Sequence, residues 1–337
     1  MLYIKFAALK DKPTLEDYNM KNFLPLTLTI LLFAFGGHAQ KVGQLSNIKR
    51  ITSSSEKFEN PRWSPDGSKI AFTQLGYNGV YVINNNGTNQ KKLSSGVGEG
   101  YRYQWSIDSK NILVRATRWL DNGNGKRRRA HAIWTLDLSG KKVRMTYDTE
   151  RVQPAAWRYS ADGTKSVLSP GAKVITDIRL AKVSSKIMKK SASTNSNVSF
   201  ISTGDYLFIL DAAGNANKVI DGTVLCPSIS PNGKKIAFYQ NRALYVMIID
   251  GSNKVKIGKG FNPTWVGNSQ IIFEQTKDDG HKYTAGELYI VNIDGTGLKA
   301  LTATSNRIEM NPCVSADGSK IVFTSFTDGQ IYIADLK

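Results

Sequence analysis

Histidine and cysteine are almost missing from this chain, which has three His and two Cys in 337 residues. Only His131 and His281 lie beyond the N-terminal segment, far apart in sequence and outside any ligand-spaced cluster. That scarcity argues against Cys/His metal centres, so no metal and no cofactor is expected. A Gly-x-Ser-x-Gly nucleophile elbow is also lacking, which removes the serine hydrolases that depend on it. Acidic residues are few, 27 Asp and Glu against 45 Lys and Arg, leaving a net charge of +18. Past residue 40 no long stretch carries apolar residues at helical spacing, so extended helical architectures are not expected.

The single long apolar run, Phe23 to Phe35, follows the basic start Met20-Lys21-Asn22. At about thirteen residues it is shorter than the roughly 20 a membrane-spanning helix needs. Gly37-His38-Ala39 then sets small residues three and one positions before a cut ahead of Gln40. This is the order of a secretory signal peptide. Residues 20–39 are therefore expected to be the leader and residues 1–19 an upstream extension, with the alternative that they form a real N-terminal tail. No Cys follows the apolar run, so soluble export to the periplasm or beyond is expected, without a lipid anchor or a membrane span. The exported chain would carry +17 and favour anionic partners: acidic polysaccharide, lipid head groups, nucleic acid or an acidic protein. For an exported chain, envelope polymers and proteins rank ahead of nucleic acid.

What the chain does have is self-similarity. Asn60-Pro61-Arg62-Trp63-Ser64-Pro65-Asp66-Gly67 runs into Lys69-Ile70-Ala71-Phe72. Cys226 to Phe238 and Asn311 to Phe323 repeat that pattern closely. Weaker copies begin at Gln104, Ala156 and Asn262. Clear copies continue with an apolar alternation such as Val80-Tyr81-Val82-Ile83, then an Asn-Gly-Thr or Asp-Gly-Thr turn, then a short basic strand. Alternating apolar residues make strands, and the Gly-bearing turns supply the positive φ that hairpins need. Each unit reads as four antiparallel strands. One such sheet cannot bury both faces, so the units must stack around an axis, and an all-β propeller is expected.

Taking Trp63 as marker, the later markers are Trp105, Trp157, Ile229, Trp265 and Val314, at separations of 42, 52, 72, 36 and 49. The 72 is twice the shortest, which predicts a degenerate unit over residues 187–222 with Tyr206 to Leu210 as its third strand. Seven four-stranded blades are expected on this count, or six if one blade is enlarged. The last unit ends at its third strand, Ile331 to Lys337, and Asn47 to Thr52 has the pattern of the missing outer strand. The N-terminal strand is thus predicted to close the C-terminal blade and remove an open sheet edge. Cys226 and Cys313 fall on first strands of non-adjacent blades and are expected to be small buried residues, not a disulfide.

The Asn-Pro-Arg-Trp-Ser-Pro-Asp-Gly opening and the later Asn292-Ile293-Asp294-Gly295-Thr296 turn resemble the WD-repeat-like propeller repeat of TolB and of peptidase-associated propellers. The resemblance covers about residues 45–337, without the α/β domain that precedes the propeller in TolB. It implies a propeller scaffold and protein binding in the cell envelope, and carries over no binding residue. Metal-dependent propeller lyases for acidic glycans are the enzymatic alternative, which the two histidines serve poorly.

The remaining signals concern binding. Asp121 to Gly125 has the look of a calcium loop but lacks the other ligands and the closing Glu. The repeated Ser-Pro-Asp-Gly carboxylates read as turn formers. Function on rigid scaffolds commonly resides in long, individual loops. Here these are Trp119 to Ala130, Lys277 to Ala285, and the turns leading into blades near Tyr101 and Arg307. Tyr101, Arg102, Tyr103, Arg118, Trp119, Lys126, Arg127, Arg128, Arg129, Lys282, Tyr283 and Arg307 are the candidate contacts. Aromatics beside guanidinium groups suit an acidic protein surface or an anionic polysaccharide. A monomeric, non-enzymatic binding module is the expectation.

Overall fold

The structure, a computed structural model, describes residues 45–121, 123, 125–145, 148, 155–159, 165–168, 199–202, 206–210 and 216–337. The expected leader and upstream extension lie outside the described residues. Every described element is a β-strand.

After β1 (Ser46–Arg50), a sheet is built from β2 (Phe58–Trp63), β3 (Lys69–Gln74), β4 (Asn78–Asn84) and β5 (Lys91–Ser94). The next holds β6 (Gln104–Trp105), β7 (Asn111–Asp121), β8 (Arg127–Asp137) and β9 (Lys142–Arg144). Two smaller sheets follow: β10 (Ala156–Tyr159) with β11 (Lys165–Leu168), then β12 (Ser199–Ser202), β13 (Tyr206–Leu210) and β14 (Ala216–Asp221). Four strands return in β15 (Leu225–Ile229), β16 (Lys235–Gln240), β17 (Ala243–Ile248) and β18 (Val255–Gly258). Another four are β19 (Phe261–Val266), β20 (Gln270–Asp278), β21 (Tyr283–Asn292) and β22 (Lys299–Ala300). The last sheet orders β1, β25 (Gln330–Asp335), β24 (Lys320–Ser325) and β23 (Glu309–Val314).

Antiparallel pairing of β1 with β25, Lys49 opposite Ile333 and Arg50 opposite Tyr332, makes the closure the repeat pattern predicts. The blade count differs from expectation. Five four-stranded blades are described, not seven and not six, and the two smaller sheets have two and three strands among the described residues. The repeat is weakest over that stretch: no Ser-Pro-Asp-Gly turn occurs between Gly163 and Ser230, so spacing alone over-counted complete units there. Tyr206 to Leu210 does form a strand, the middle one of its sheet.

There is no single core. Each apolar cluster is a seam between consecutive sheets. Phe58, Trp63 and Phe72 meet Val322, Ile331 and Ile333 at the closing seam. Ile272, Leu288 and Leu301 meet Ile321, Phe323 and Ala334 at the seam before it. In four sheets a fully buried Phe on the second strand stacks on a Tyr of the third: Phe72 on Tyr81, Phe238 on Tyr245, Phe273 on Tyr289 and Phe323 on Tyr332, with centroids 5.5–5.9 Å apart.

The marker tryptophans set the register between sheets. The indole N–H of Trp63 donates to Cys313 O, that of Trp105 to Arg62 O, that of Trp157 to Gln104 O and that of Trp265 to Ser228 O, at 2.8–3.2 Å. Each acceptor stands one residue before the neighbouring sheet's marker. Trp265→Phe, which keeps the ring and deletes the donor, should cost about 1–3 kcal/mol in urea denaturation because the Ser228 carbonyl loses its partner.

The Ser-x-Asp turns are structural. Ser64 Oγ donates to Asp66 Oδ1 at 2.6 Å and accepts from Lys69 N–H at 2.9 Å. Ser106, Ser230 and Ser315 make the same pair of bonds in their units.

Candidate functional site

The antiparallel order puts the start of every first strand at the same end of its blade as the hairpin between the second and third strands. At that end the repeat has a backbone signature. Asn60, Arg102, Cys226, Asn262 and Asn311 occupy corresponding positions and all have positive φ, 49–56°. Four of them sit in a register slip of the first strand, a β-bulge that bends its start. Asn tolerates this conformation, whereas Arg and Cys are held in it at a cost. Among the described residues, Arg102 and Cys226 are therefore the two places where the repeat gives up its preferred residue.

Arg102 is held by what it touches. Its Nη1 donates to Ser202 O at 3.3 Å, and its guanidinium stands 5.3 Å from the Tyr101 ring. Arg115, on β7, stands 5.5 Å from the same ring. Tyr77, in the turn between β3 and β4, meets Tyr101 edge to face at 5.3 Å. The Glu59 carboxylate holds that turn by accepting from Gly76 N–H at 2.9 Å and Tyr77 N–H at 3.0 Å. Gly100 is required beside it, since a Cβ there would overlap the buried Thr73 side chain.

Burial, and then the positive charge of Arg102, pull Arg115 down to about 10, so it stays protonated at neutral pH. Burial pushes Tyr77 up to about 12, with Glu59, Tyr101, Cys226 and Tyr283 adding in the same direction. Tyr77, Tyr101 and Tyr283 thus belong to one neighbourhood, each about two-fifths exposed. Two guanidinium groups stand over one phenol ring, and a second phenol, Tyr77, meets that ring edge to face. This arrangement accepts a carboxylate or phosphate group and packs against its apolar stem.

Of the candidate contacts, Tyr101 and Arg102 fall inside this group and Tyr283 at its edge. Tyr103 does not. It is only 5% exposed, and its hydroxyl donates toward Asn60 O and Ala71 O, so it belongs to the core between the first two blades. Arg118 is paired with Asp148, which also binds Arg144 at 2.9 Å. Trp119 and Arg127 to Arg129 are not in a loop: Trp119 lies opposite Arg129 and Leu120 opposite Arg128 in the paired β7–β8 hairpin. Lys126 precedes β8 and is exposed. Lys282 is exposed in the turn between β20 and β21, and Tyr283 meets Phe326 at 5.3 Å. Arg307 binds Glu309 at 3.1 Å and lies 5.3 Å from the Tyr332 ring, in the lining of a cavity of about 310 Å³ with Thr284, Thr304 and Thr327.

His131 is buried in β8, its Nδ1 3.0 Å from Thr117 Oγ1. Burial and the charges of Arg129 and Arg115 hold it below the ordinary histidine range. His281 is exposed in a turn, its N–H donating to Asp279. Asp121 accepts from Gly123 N–H, as a turn residue does. Cys226 and Cys313 are free thiols, half-buried where full burial was expected. Among the described residues no three His, Cys, Asp or Glu side chains are grouped to hold a metal ion.

Neither Tyr77 nor Arg115 is among the contacts that the sequence suggests. Tyr77 sits in a three-residue turn that looks stereotyped, and Arg115 reads as an ordinary member of a strand. The signal that could have found the site is the repeat itself, because Arg102 stands where three other units have Asn.

Consecutive four-stranded blades, seams in place of one core and an N-terminal strand closing the last blade define a β-propeller. No family model matches the sequence. The chain is 41% identical over 125 residues to a protein TolB homolog of Chlorobium luteolum, covering 33% of this chain and 26% of that one. It is 34% identical over 74 residues to the Tol-Pal system protein TolB of Alcanivorax borkumensis, covering 21% and 17%. The matches therefore span about a quarter or less of the length of these relatives. Solved TolB of Acinetobacter baumannii superposes with TM-score 0.51 at 18% identity, over 78% of this chain and 58% of that one. A putative TolB of Agrobacterium tumefaciens gives 0.51 at 16% identity, over 86% and 97%. The chain carries a TolB-like β-propeller.

Proposed function

We propose that the chain is a non-enzymatic binding module that holds an acidic protein partner at the group formed by Tyr77, Tyr101, Arg102 and Arg115. The observation that carries this reading is the pair of guanidinium groups, Arg102 and Arg115, both within 5.5 Å of the Tyr101 ring. Like charges brought together and partly buried raise each other's free energy, and a partner's carboxylate would relieve it. The strained backbone at Arg102, where Asn serves elsewhere, supports the same place. The likeness to TolB propellers, among them one named for the Tol-Pal system, supports binding as the role.

The wider reading has two parts. Residues 20–39 act as a cleaved leader, with residues 1–19 an upstream extension, and the product works in the periplasm or outside the cell as a monomer. The basic surface selects acidic partners ahead of nucleic acid.

Affinity capture from envelope extract with the C-terminally tagged chain tests the site, beside a variant carrying Arg102→Asn and Arg115→Gln. Asn at 102 restores the residue the backbone prefers, so the variant should melt no lower than wild type. It should retain its partner on the order of 10- to 100-fold less well, the usual loss when a charged hydrogen bond is removed. Equal retention by both forms would remove the site, and turnover of polygalacturonate by the wild type would favour the glycan-lyase alternative. N-terminal sequencing of the exported form should begin at Gln40.

A further inference from the structure

We propose that the tip of the β7–β8 hairpin docks on the surface of an anionic lipid bilayer, independently of the protein site above. β7 and β8 have eleven residues each, the longest strands among those described, so this hairpin is the furthest extended. Its base is held by charge neutralisation, with Arg118 and Arg144 both on Asp148. Beyond that base come Trp119, Leu120 and the run from Lys126 to Arg129, with Asp121 as the acid among them.

Three observations favour a bilayer over a one-sided partner. First, residues directly opposite in an antiparallel pair share a face, and successive residues alternate. Arg129 and Arg127, opposite Trp119 and Asp121, are therefore on one face, and Arg128, opposite Leu120, is on the other. The tip is cationic on both sides, which suits a layer that surrounds it. Second, Trp119 is 59% exposed, and the guanidinium of Arg129 already lies 5.4 Å from its ring. An exposed indole beside a guanidinium matches the boundary between acyl chains and phosphates. Third, Val97 is 62% exposed beside the hairpin, its carbonyl accepting from Thr117 N–H, which extends the apolar contact along the same edge.

Sedimentation of the full chain with phosphatidylcholine vesicles, with and without phosphatidylglycerol, tests this. Binding should require phosphatidylglycerol and fall as salt is raised. Changing Arg127, Arg128 and Arg129 together to Ser should weaken partitioning about 100-fold, near fivefold for each cation removed. Trp119→Ala should weaken it about tenfold with the charges intact. Trp119, Arg127 and Arg129 are exposed and Arg128 is half-buried, and unchanged circular dichroism would confirm that the fold is kept. Failure of the wild type to bind phosphatidylglycerol vesicles, or undiminished binding by the triple variant, would overturn the proposal. So would undiminished binding by Trp119→Ala, since a surface recognising only polyanions needs no indole. The Arg102→Asn, Arg115→Gln variant should still sediment, which separates this surface from the protein site.

Discussion

Phe323→Ala should lower the stability of the propeller by about 3–5 kcal/mol, the range for truncating a fully buried aromatic side chain. Phe323 is completely buried on the second strand of the closing sheet, stacked on Tyr332 at 5.8 Å and 17°. It lies in the seam that joins this sheet to the preceding one, among Ile272, Leu288 and Ile321. The sheets on both sides are fixed by closure, β1 to β25 on one hand and the seam on the other, so collapse around the void is restricted and the cost belongs at the upper end. A urea midpoint shift with unchanged slope is the expected reading. Leu298→Ala, at an exposed position, should move the midpoint within about 0.5 kcal/mol of zero. Equal effects of the two changes would mean that the seams do not hold the ring.

Much of this architecture is legible in the sequence because it depends on short, repeated chemistry. Ser64-Pro65-Asp66-Gly67 and its copies make turns through local bonds that need no distant partner, so pattern alone identifies them. The outer-strand role of Asn47 to Thr52 is legible because a final unit lacking its outer strand leaves an edge that one unassigned segment matches. The tryptophans serve as markers for a reason that pattern does not reveal: each indole reaches a carbonyl of the neighbouring blade. Between Gly163 and Ser230 neither turn nor indole marks the units, and there the count of complete blades fails.

The site is less legible, since charge and aromaticity do not tell which side chains are spoken for. Tyr103 has the same polar tip as Tyr101, yet its hydroxyl serves the backbone carbonyls of Asn60 and Ala71. Arg118 looks like the other cations of its hairpin, yet Asp148, thirty residues on, neutralises it. Arg102 differs because its backbone is unusual, a property visible only by alignment with Asn60, Asn262 and Asn311. The general lesson is to look in repeats for the unit that departs from a conformationally demanding residue.

Glu274→Gln should stabilise the protein at neutral and alkaline pH and change little near pH 4.5. Glu274 occupies the second-strand position that is Thr73 and Thr324 in other blades, and it is 3% exposed. Its carboxylate accepts from Asn262 Nδ2 at 3.0 Å and from the Asn311 N–H of the closing blade. Burial nonetheless pushes it up from 4.5 to about 7, against these bonds and the charge of Arg62. A carboxyl that is harder to ionise when folded holds its proton more tightly in the native state. Its contribution is therefore intact below about pH 4.5, declines as pH rises toward 7 and is lost above that. The full loss corresponds to about 3 kcal/mol. Glutamine has no such charge, can keep the bond from Asn311 N–H through its carbonyl oxygen, and can donate to Asn262 once that amide turns over. Urea midpoints of wild type and variant should coincide at about pH 4.5 and separate to about 3 kcal/mol by pH 8, with the variant the more stable. Paired Asp residues such as Asp317, held down to about 2 mainly by the Ser315 hydroxyl, act with the opposite sign at lower pH and cancel in this comparison. Parallel curves over that range would show that Glu274 is ionised in the folded seam at no cost, and that its two donors offset its burial completely.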